Sequence, residues 1–278
     1  MTAQAEIGVI GGSGLYEFLD DAEAHQVRTP YGAPSDPLVI GDVGGRRVAF
    51  LPRHGRDHRF PPHLINYRAN LWALRSVGAT RILSPCAVGS LRRDVAPGSL
   101  VVVDQVVDRT WGRPSTYFEG PEVVHVPFAE PFCTAAASVA VAAGRRHGFE
   151  VHDSGTLVVM QGPRFSSKAE SRAYAASGWS VIGMTALPEA ALARELALCF
   201  TTLALVTDYD VGVEGHAAPV TQEEVFRVFA ANTERIRAVL FDVIPALPAE
   251  RSGCVCADAL DGTAGIAALD AIAARASL

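Results

Sequence analysis

The sequence predicts an α/β protein with one layered domain, in which a central mixed β-sheet is flanked by helices. Two observations predict this class. Short β-branched runs alternate along the chain with segments of helical periodicity. Several of these runs are also apolar throughout, as expected for strands that are covered on both faces. The length of 278 residues, with 49% apolar residues, is sufficient for a sizeable core.

The predicted strands, in chain order, are EIGVI, PLVIGDV, RRVAFLP, TRILSPC, SLVVVDQVV, GTLVVMQG, WSVIGMT and ALCFTTLALVTD. The predicted helices are NYRANLWALRSVG, PFCTAAASVAVAAGRRHG, KAESRAYAASG, LPEAALARELA and TQEEVFRVFAANTERIRAVLFDVI. A proline near the first turn introduces the fourth helix, and Ser or Thr at the N-cap introduces the third and the fifth. The domain is predicted to span residues 1–248. Residues 249–278 have mostly small side chains and are rich in alanine, which indicates a C-terminal extension with one short helix.

Composition and charge restrict the class of protein. The net charge of −6 argues against a nucleic-acid-binding protein, because such proteins usually carry a basic surface. The sequence contains no uninterrupted apolar run of about 18 residues, so we expect no membrane span. Its first residues, MTAQAEIGVIGG, lack the features of a secretion signal. Five cysteines, an odd number, suit a reducing compartment. These features together predict a cytoplasmic protein.

The close cysteine pair, Cys254 and Cys256, lies in the C-terminal extension. A redox disulfide or half of a metal site is one interpretation of such a pair. Two free thiols are the interpretation that the sequence favours.

The first loop whose residues could bind a ligand is IGGSGL, directly after the first predicted strand. Glycines 11, 12 and 14 allow backbone N–H groups to face an anion, and the Ser13 hydroxyl adds a donor. The spacing fits neither the dinucleotide fingerprint nor the P-loop, which requires Gly-Lys-Ser/Thr. A tight turn that leaves a buried strand is the alternative interpretation.

The second loop is PRHGRDH, residues 52–58, after the third predicted strand. Arg53, His54, Arg56 and His58 gather there, and the planar fork of arginine suits phosphate oxygens. A zinc site is disfavoured because nearby glycine and prolines preclude a two-histidine helical face. A solvated basic loop remains the alternative.

Two further segments end predicted strands. In QGPRFSSKAES, Phe165 stands beside the hydroxyls of Ser166 and Ser167, a combination that could hold a flat ring and a sugar. A phenylalanine taken alone is more often a core residue. In VIGMTALPEAA, Met184 and Thr185 end a strand before the proline-led helix.

The last segment, VTDYDVG, places Asp208 and Asp210 two residues apart at the end of a long apolar strand. A buried strand normally ends in polar residues, so one acid would need no explanation, but the second indicates a chemical role. Two solvated acids at a strand end are the alternative.

Together these segments resemble the trimeric purine nucleoside phosphorylases, in particular their methylthioadenosine phosphorylase branch. The resemblance extends from about residue 6 to residue 247. The segments that match the family are IGVIGGSGL, TPYGAPSD, RHGRDH, INYRANLWAL, AVGSLR, PGSLVVVDQVVDRT, HVPFAEPFC, QGPRFSSKAES, GMTALPEA and TDYD.

The resemblance implies a pentosyltransferase of purine and methionine salvage, with the nucleoside phosphorylase fold. Its expected reaction converts 5′-methylthioadenosine and phosphate into adenine and 5-methylthioribose 1-phosphate. The alternatives are a broader purine nucleoside phosphorylase acting on adenosine or inosine and, more remotely, a purine-binding pseudoenzyme. Phosphate is then a co-substrate, with no metal or organic cofactor. The resemblance also implies a homo-oligomer, either a trimer or a dimer of trimers.

By the same resemblance, residues are assigned to the two halves of the site. The phosphate-binding residues are Ser13, Arg53, His54, Ala87 and Thr185. The nucleoside-binding residues are Phe165, Ser166, Met184, Asp208, Asp210, Gln222 and, from a neighbouring subunit, His125. The catalytic residues are Asp208, Asp210 and His54.

The resemblance also implies separate roles for the two acids. Asp208 is the partner of purine N7, and Asp210 accepts from the N6 amino group of adenine. The 6-oxopurine branch has Asn in place of the first Asp. Two positions depart from the family pattern: Cys86 replaces a hydroxyl or amide that contacts phosphate, and Gln222 stands where the methylthio branch has an apolar residue near the 5′ end of the sugar.

Overall fold

The computed structural model describes residues 4–12, 15, 18–19, 22–211, 213 and 220–276. The strands within them are β1 Ile7–Gly11, β2 Glu23–His25, β3 Leu38–Val43, β4 Arg46–Pro52, β5 Arg81–Ser90, β6 Leu100–Val102, β7 Gln105–Arg109, β8 Val151–His152, β9 Thr156–Met160, β10 Val181–Gly183 and β11 Cys199–Tyr209. The helices are α1 Tyr67–Ser76, α2 Thr134–Arg146, α3 Lys168–Ala176, α4 Ala186–Glu195, α5 Gln222–Ala246 and α6 Gly265–Ala276, with a short 3-10 helix at Pro62–Leu64.

The strands form one mixed sheet that branches at β5. Its main path runs β2-β3-β4-β1-β5-β10-β9-β7, while β11 pairs with β5 and leads on to β6 and β8. Strands β4, β1, β5 and β11 are parallel to one another along this sheet. Their carboxyl ends therefore meet at one edge, where α/β proteins usually bind ligands. The predicted α/β class with a mixed sheet is confirmed.

The strand predictions are correct in position, with two kinds of error. Strands β2 and β8 were not predicted, because they have only three and two residues and carry no usable alternation. The run SLVVVDQVV, predicted as one strand, is two. Its first part, β6, pairs with β11 and β8, and its second part, β7, pairs with β9. The chain thus crosses between the two branches of the sheet.

The predicted helices are all present, and two of the predicted N-caps are confirmed. Ser167 caps α3 in a capping box with Glu170, and the Thr221 side chain accepts from the backbone N–H of Glu224 at the start of α5. Helix α4 begins at Ala186, ahead of the proline that was expected to introduce it. Leu187 has extended φ and ψ angles, so the helix is kinked there.

Helices cover the sheet on both sides. Helix α1 packs against α4, and α2 packs against α5. Their apolar side chains belong to two separate buried clusters. In the C-terminal segment, Leu260 and Leu269 are buried in the cluster that also contains α1 and α4. The proposed boundary at residue 248 stays a prediction.

Among the helices that the structure describes, none combines the length and the hydropathy that a membrane crossing requires.

Candidate active site

A cavity of about 350 Å³ lies at the carboxyl ends of β1, β4, β5 and β11. Segments that are far apart in the chain meet there because these strands are parallel neighbours in the sheet. It is lined by most of the residues assigned to the two halves of the site: Arg53, His54, Ala87, Phe165, Ser166, Met184, Thr185, Asp208, Asp210 and Gln222.

The pairing of β11 with β5 slips by one residue between Val206 and Asp208. Such a bulge redirects the side chains that follow it. Asp208 is 7% exposed and accepts a hydrogen bond of 2.8 Å from the Thr207 hydroxyl. Burial raises the pKa of Asp208 to about 6, against the lowering effect of the Thr207 hydrogen bond and with a smaller upward contribution from Asp210. This carboxyl group can therefore hold a proton near neutral pH.

Asp210 has a different environment. It is 3% exposed, and its backbone N–H donates to Ser90 O at 2.9 Å. Its Oδ2 atom has no hydrogen-bond partner within the described part of the chain. A buried acceptor without a donor is costly, so this oxygen requires a donor from a molecule in the cavity. The two acids therefore differ: Asp208 can hold a proton near neutral pH, whereas Asp210 presents an unsatisfied hydrogen-bond acceptor.

Gly89 makes room for the pair. A Cβ atom at this position would lie 2.9 Å from Asp208 Oδ1 and 3.2 Å from Ile182 Cγ2. A side chain at residue 89 would therefore push Asp208 out of its position.

Arg53 is 1% exposed and is held by Glu189, which is wholly buried. Arg53 Nε lies 2.6 Å from Glu189 Oε1, and Arg53 Nη2 lies 3.1 Å from Glu189 Oε2. Ser84 Oγ also contacts Arg53 Nη2, at 2.6 Å. Burial alone would lower the pKa of Arg53, but the Glu189 carboxylate outweighs it and the pKa is raised. The guanidinium is thus charged and fixed in one orientation.

This geometry leaves one edge of the fork for a ligand. Among the described residues, Arg53 Nη1 makes only a long contact, of 3.3 Å, with Pro85 O. A Cβ atom at Gly12 would lie 3.1 Å from this Nη1 atom, so the missing side chain keeps that approach open. Glu189 was not among the predicted site residues. The signal was present, since Glu189 is an acid in the otherwise apolar start of α4.

His54 lies next to Arg53 and is nearly buried. Burial and the charge of Arg53 lower the pKa of His54 to about 3. Its Nδ1 is 2.8 Å from Phe60 O, a carbonyl that can only accept, so Nδ1 carries the proton and Nε2 is an acceptor. The ring stacks on His58 at 4.6 Å, and His58 in turn meets the edge of Phe226 at 5.5 Å. Phe226 lines the cavity but was not among the predicted site residues.

The remaining cavity residues include three that were predicted to bind the nucleoside, Phe165, Ser166 and Met184. Phe165 is 37% exposed, so the core interpretation of this residue is wrong. Ser166 Oγ donates to Met160 Sδ at 3.6 Å. The Met184 carbonyl accepts from Arg113 Nη1 at 2.8 Å. Arg113 Nη2 also donates to Met160 O at 3.4 Å, so this arginine connects two residues of the cavity wall, Met184 and Met160.

Thr185 and Cys86 also line the cavity. Thr185 is the N-cap residue of α4, but its hydroxyl does not cap the helix. Cys86 is buried in the cavity wall, and burial raises its pKa to about 12, so it is a neutral thiol.

The structure does not bring all predicted residues together. Ser13 lies outside the described residues. His125 is exposed and is not among the residues that line the cavity within the described part of this chain. Its predicted role depends on a neighbouring subunit.

Comparisons with known proteins identify relatives of the whole chain. Residues 6–245 match the family described as the Phosphorylase superfamily. A purine nucleoside phosphorylase of Streptomyces coelicolor is 60% identical over 93% of this chain and 95% of its own length. An S-methyl-5′-thioadenosine phosphorylase of Thermofilum pendens is 49% identical over 93% of this chain and 98% of its own. The solved structure of methylthioadenosine phosphorylase from Schistosoma mansoni in complex with adenine superposes with a TM-score of 0.83, at 36% identity and 98% coverage of both chains.

Proposed function

The chain belongs to the phosphorylase superfamily, and we propose that it catalyses the phosphorolysis of an adenine nucleoside, most suitably 5′-methylthioadenosine. The products are adenine and 5-methylthioribose 1-phosphate. The observation that carries the choice of base is the buried Oδ2 atom of Asp210, which has no partner among the residues that the structure describes. The N6 amino group of adenine is a donor and satisfies this oxygen, whereas the O6 atom of inosine is an acceptor and does not.

Asp208 acts on the leaving base. Purine departs poorly as an anion unless N7 is protonated or strongly hydrogen-bonded. A carboxyl group whose pKa is about 6 can hold that proton and donate it as the glycosidic bond breaks. The burial of Asp208 therefore has a chemical use, since a solvated aspartate would be ionised at neutral pH.

Phosphate binds on the other side of the sugar. Arg53 supplies a fixed positive charge with its Nη1 edge, and Thr185 supplies a hydroxyl. Holding the phosphate against C1′ provides orientation and stabilises the positive charge that develops on the sugar. His54, with Nε2 as an acceptor, suits a hydroxyl of the sugar or a protonated phosphate oxygen. The reaction needs no metal and no organic cofactor.

A panel of rates tests this proposal. 5′-Methylthioadenosine, adenosine and inosine are each assayed with and without phosphate, for the wild type and for Asp210→Ala. We expect base release that depends on phosphate. In Asp210→Ala, kcat/KM for the adenine nucleosides should fall by about 5- to 150-fold, the effect of losing one hydrogen bond of about 1–3 kcal/mol in an enclosed site. Inosine should be affected much less. Ligand binding without base release would instead favour a purine-binding pseudoenzyme.

A broader purine nucleoside phosphorylase is the second candidate, and Gln222 favours it. This residue begins α5 and lines the cavity, and its amide can hydrogen-bond a 5′-hydroxyl. We expect Gln222→Leu to shift the ratio of kcat/KM toward 5′-methylthioadenosine over adenosine by about 10-fold, which corresponds to about 1.4 kcal/mol. Gln222→Glu, which keeps the polarity and the length, is the matched control and should not favour the methylthio substrate. An unchanged ratio in Gln222→Leu would place this residue away from the 5′ substituent.

We also propose that the enzyme is a homo-oligomer, a trimer or a dimer of trimers in the cytoplasm. The segment around His125 supports this, because Val123 is 76% exposed although it is large and apolar. We expect His125→Ala to lower kcat/KM for 5′-methylthioadenosine by about 10-fold, the loss of about 1.4 kcal/mol of contact with the sugar. The measurement combines steady-state rates with sedimentation. A fully active monomer at the assay concentration would contradict the predicted role.

A further inference from the structure

Four of the five cysteines meet at the end of β11 that is remote from the active site. Cys133, Cys199, Cys254 and Cys256 have Sγ atoms that all lie within 4.8 Å of one another. Three of them are buried, and Cys254 is half-buried. Cys199 is the first residue of β11, whereas Asp208 is near its last, so the cluster is separate from the proposed reaction. The fifth cysteine, Cys86, belongs to the active-site cavity.

The spacing of the sulfur atoms fits a single tetrahedral metal ion. Zinc–sulfur bonds of about 2.3 Å in a tetrahedron separate the sulfurs by about 3.8 Å. The Sγ atoms of Cys199 and Cys254 are 3.6 Å apart, and every other pair falls within the 4.8 Å limit. Two disulfides would instead select two pairs at about 2.05 Å. Here each sulfur has all three others as neighbours.

The surroundings suit a cluster of thiolates. Cys133 is the N-cap residue of α2, where the helix dipole favours negative charge. A cavity of about 10 Å³ adjoins the sulfurs of Cys133, Cys199 and Cys254. Arg81 and Arg251 line it together with Glu250, so cationic side chains outnumber the acid there. A zinc ion with four thiolates carries a charge of 2−, which these two arginines oppose.

We propose that Cys133, Cys199, Cys254 and Cys256 bind one Zn²⁺ ion in a structural site with four protein ligands. Binding replaces the four thiol protons, which are released to solvent, and changes no oxidation state. The metal joins the segment that precedes α2 and the start of β11 to the C-terminal segment. It thereby anchors residues that follow α5 and lead to α6. The Cys-Val-Cys pair is thus half of a metal site whose other half lies far away in the sequence.

The full-length chain, purified under reducing conditions, is assayed for bound metal by elemental mass spectrometry after gel filtration in the presence of EDTA. We expect one zinc per chain. In protein produced in zinc-depleted medium supplemented with Co²⁺, we expect the strong visible bands of tetrahedral cobalt and the near-ultraviolet charge-transfer band of cobalt thiolate. Both measurements use the wild-type chain, so they do not depend on whether a variant folds.

Variants then identify the ligands. Cys254→Ser with Cys256→Ser removes two of the four ligands. It should reduce the bound zinc by at least about 10-fold, since loss of an outer-shell partner alone already lowers metal affinity by about 10- to 100-fold. Cys86→Ala is the matched control and should retain one zinc. Cys254→His keeps a ligand atom and should retain tetrahedral cobalt with shifted bands. The proposal would be overturned if zinc were lost on gel filtration or if the chain acquired no tetrahedral cobalt. It would also be overturned if the unreduced, denatured wild type had a single alkylatable thiol, which would indicate two disulfides.

Discussion

Asp208→Asn is expected to lower kcat/KM for 5′-methylthioadenosine by about 100-fold or more, the usual scale for loss of a general acid. The amide of Asn cannot protonate N7, but its NH₂ group can donate to the O6 atom of a 6-oxopurine. Activity on inosine should therefore fall far less, or rise. Steady-state rates with both substrates measure the contrast. Equal proportional losses would show that Asp208 does not distinguish the bases.

The pH dependence provides a second measurement on the same variant. Only the protonated Asp208 carboxyl can donate, and its pKa is about 6. The kcat/KM of the wild type for adenine nucleosides should therefore fall as pH rises above about 6, by up to 10-fold for each pH unit. Phosphate also titrates in this range, but it does so equally for both proteins. The ratio of wild type to Asp208→Asn therefore isolates the aspartate, and this ratio should decline with rising pH.

Stability should change in the opposite direction to activity. The pKa of Asp208 is raised on folding from its ordinary 3.8 to about 6, so the folded state favours the protonated form. That stabilisation is fully present below the unfolded pKa and is lost as pH rises through about 6. Above pH 6 the buried charge is a cost, which Asn removes. We expect Asp208→Asn to raise the free energy of unfolding at pH 7–8 by up to about 3 kcal/mol. A variant that is less active but more stable cannot be explained by unfolding.

The two acids also show what a sequence can predict about a site. Asp208 and Asp210 are two residues apart at the end of one strand, so a local pattern predicts that they share a face. Arg53 and Glu189 are separated by 136 positions, and only the fold brings them together. The four cysteines are a similar case, because the chain order gives no sign that Cys133 and Cys199 approach the Cys-Val-Cys pair. Segments that end parallel strands could be assigned to one edge of the sheet, but pairs between those segments could not.

This pairing of Arg53 changes how its role must be tested. Arg53→Ala should impair the use of phosphate by about 2–4 kcal/mol in kcat/KM, since a charge-assisted fork is lost. However, it also leaves the Glu189 carboxylate buried without a partner. Breaking a buried pair by removing one member costs about 3–5 kcal/mol of stability. A loss of activity in that variant therefore cannot separate binding from folding.

Two other variants separate these effects. Arg53→Lys keeps the charge opposite Glu189 but replaces the fork with a single point of contact. We expect its kcat/KM for phosphate to fall by about 30- to 1,000-fold, equivalent to about 2–4 kcal/mol. Arg53→Met combined with Glu189→Met removes both charges and keeps similar volumes, a replacement that is often neutral or stabilising for buried pairs. This double variant should fold as well as the wild type but lose phosphorolysis.

Thermal unfolding with and without phosphate provides the decisive measurement. A ligand that binds only the folded state stabilises it by RT ln(1 + [L]/Kd), so the rise in unfolding temperature grows with the ratio of ligand concentration to Kd. We expect phosphate to stabilise the wild type, to stabilise Arg53→Lys less, and to leave the Arg53→Met, Glu189→Met double variant unchanged. The double variant is the sharper test because the pair is absent without an unpaired charge in its place. If it folds and its KM for phosphate equals that of the wild type, then Arg53 does not bind phosphate.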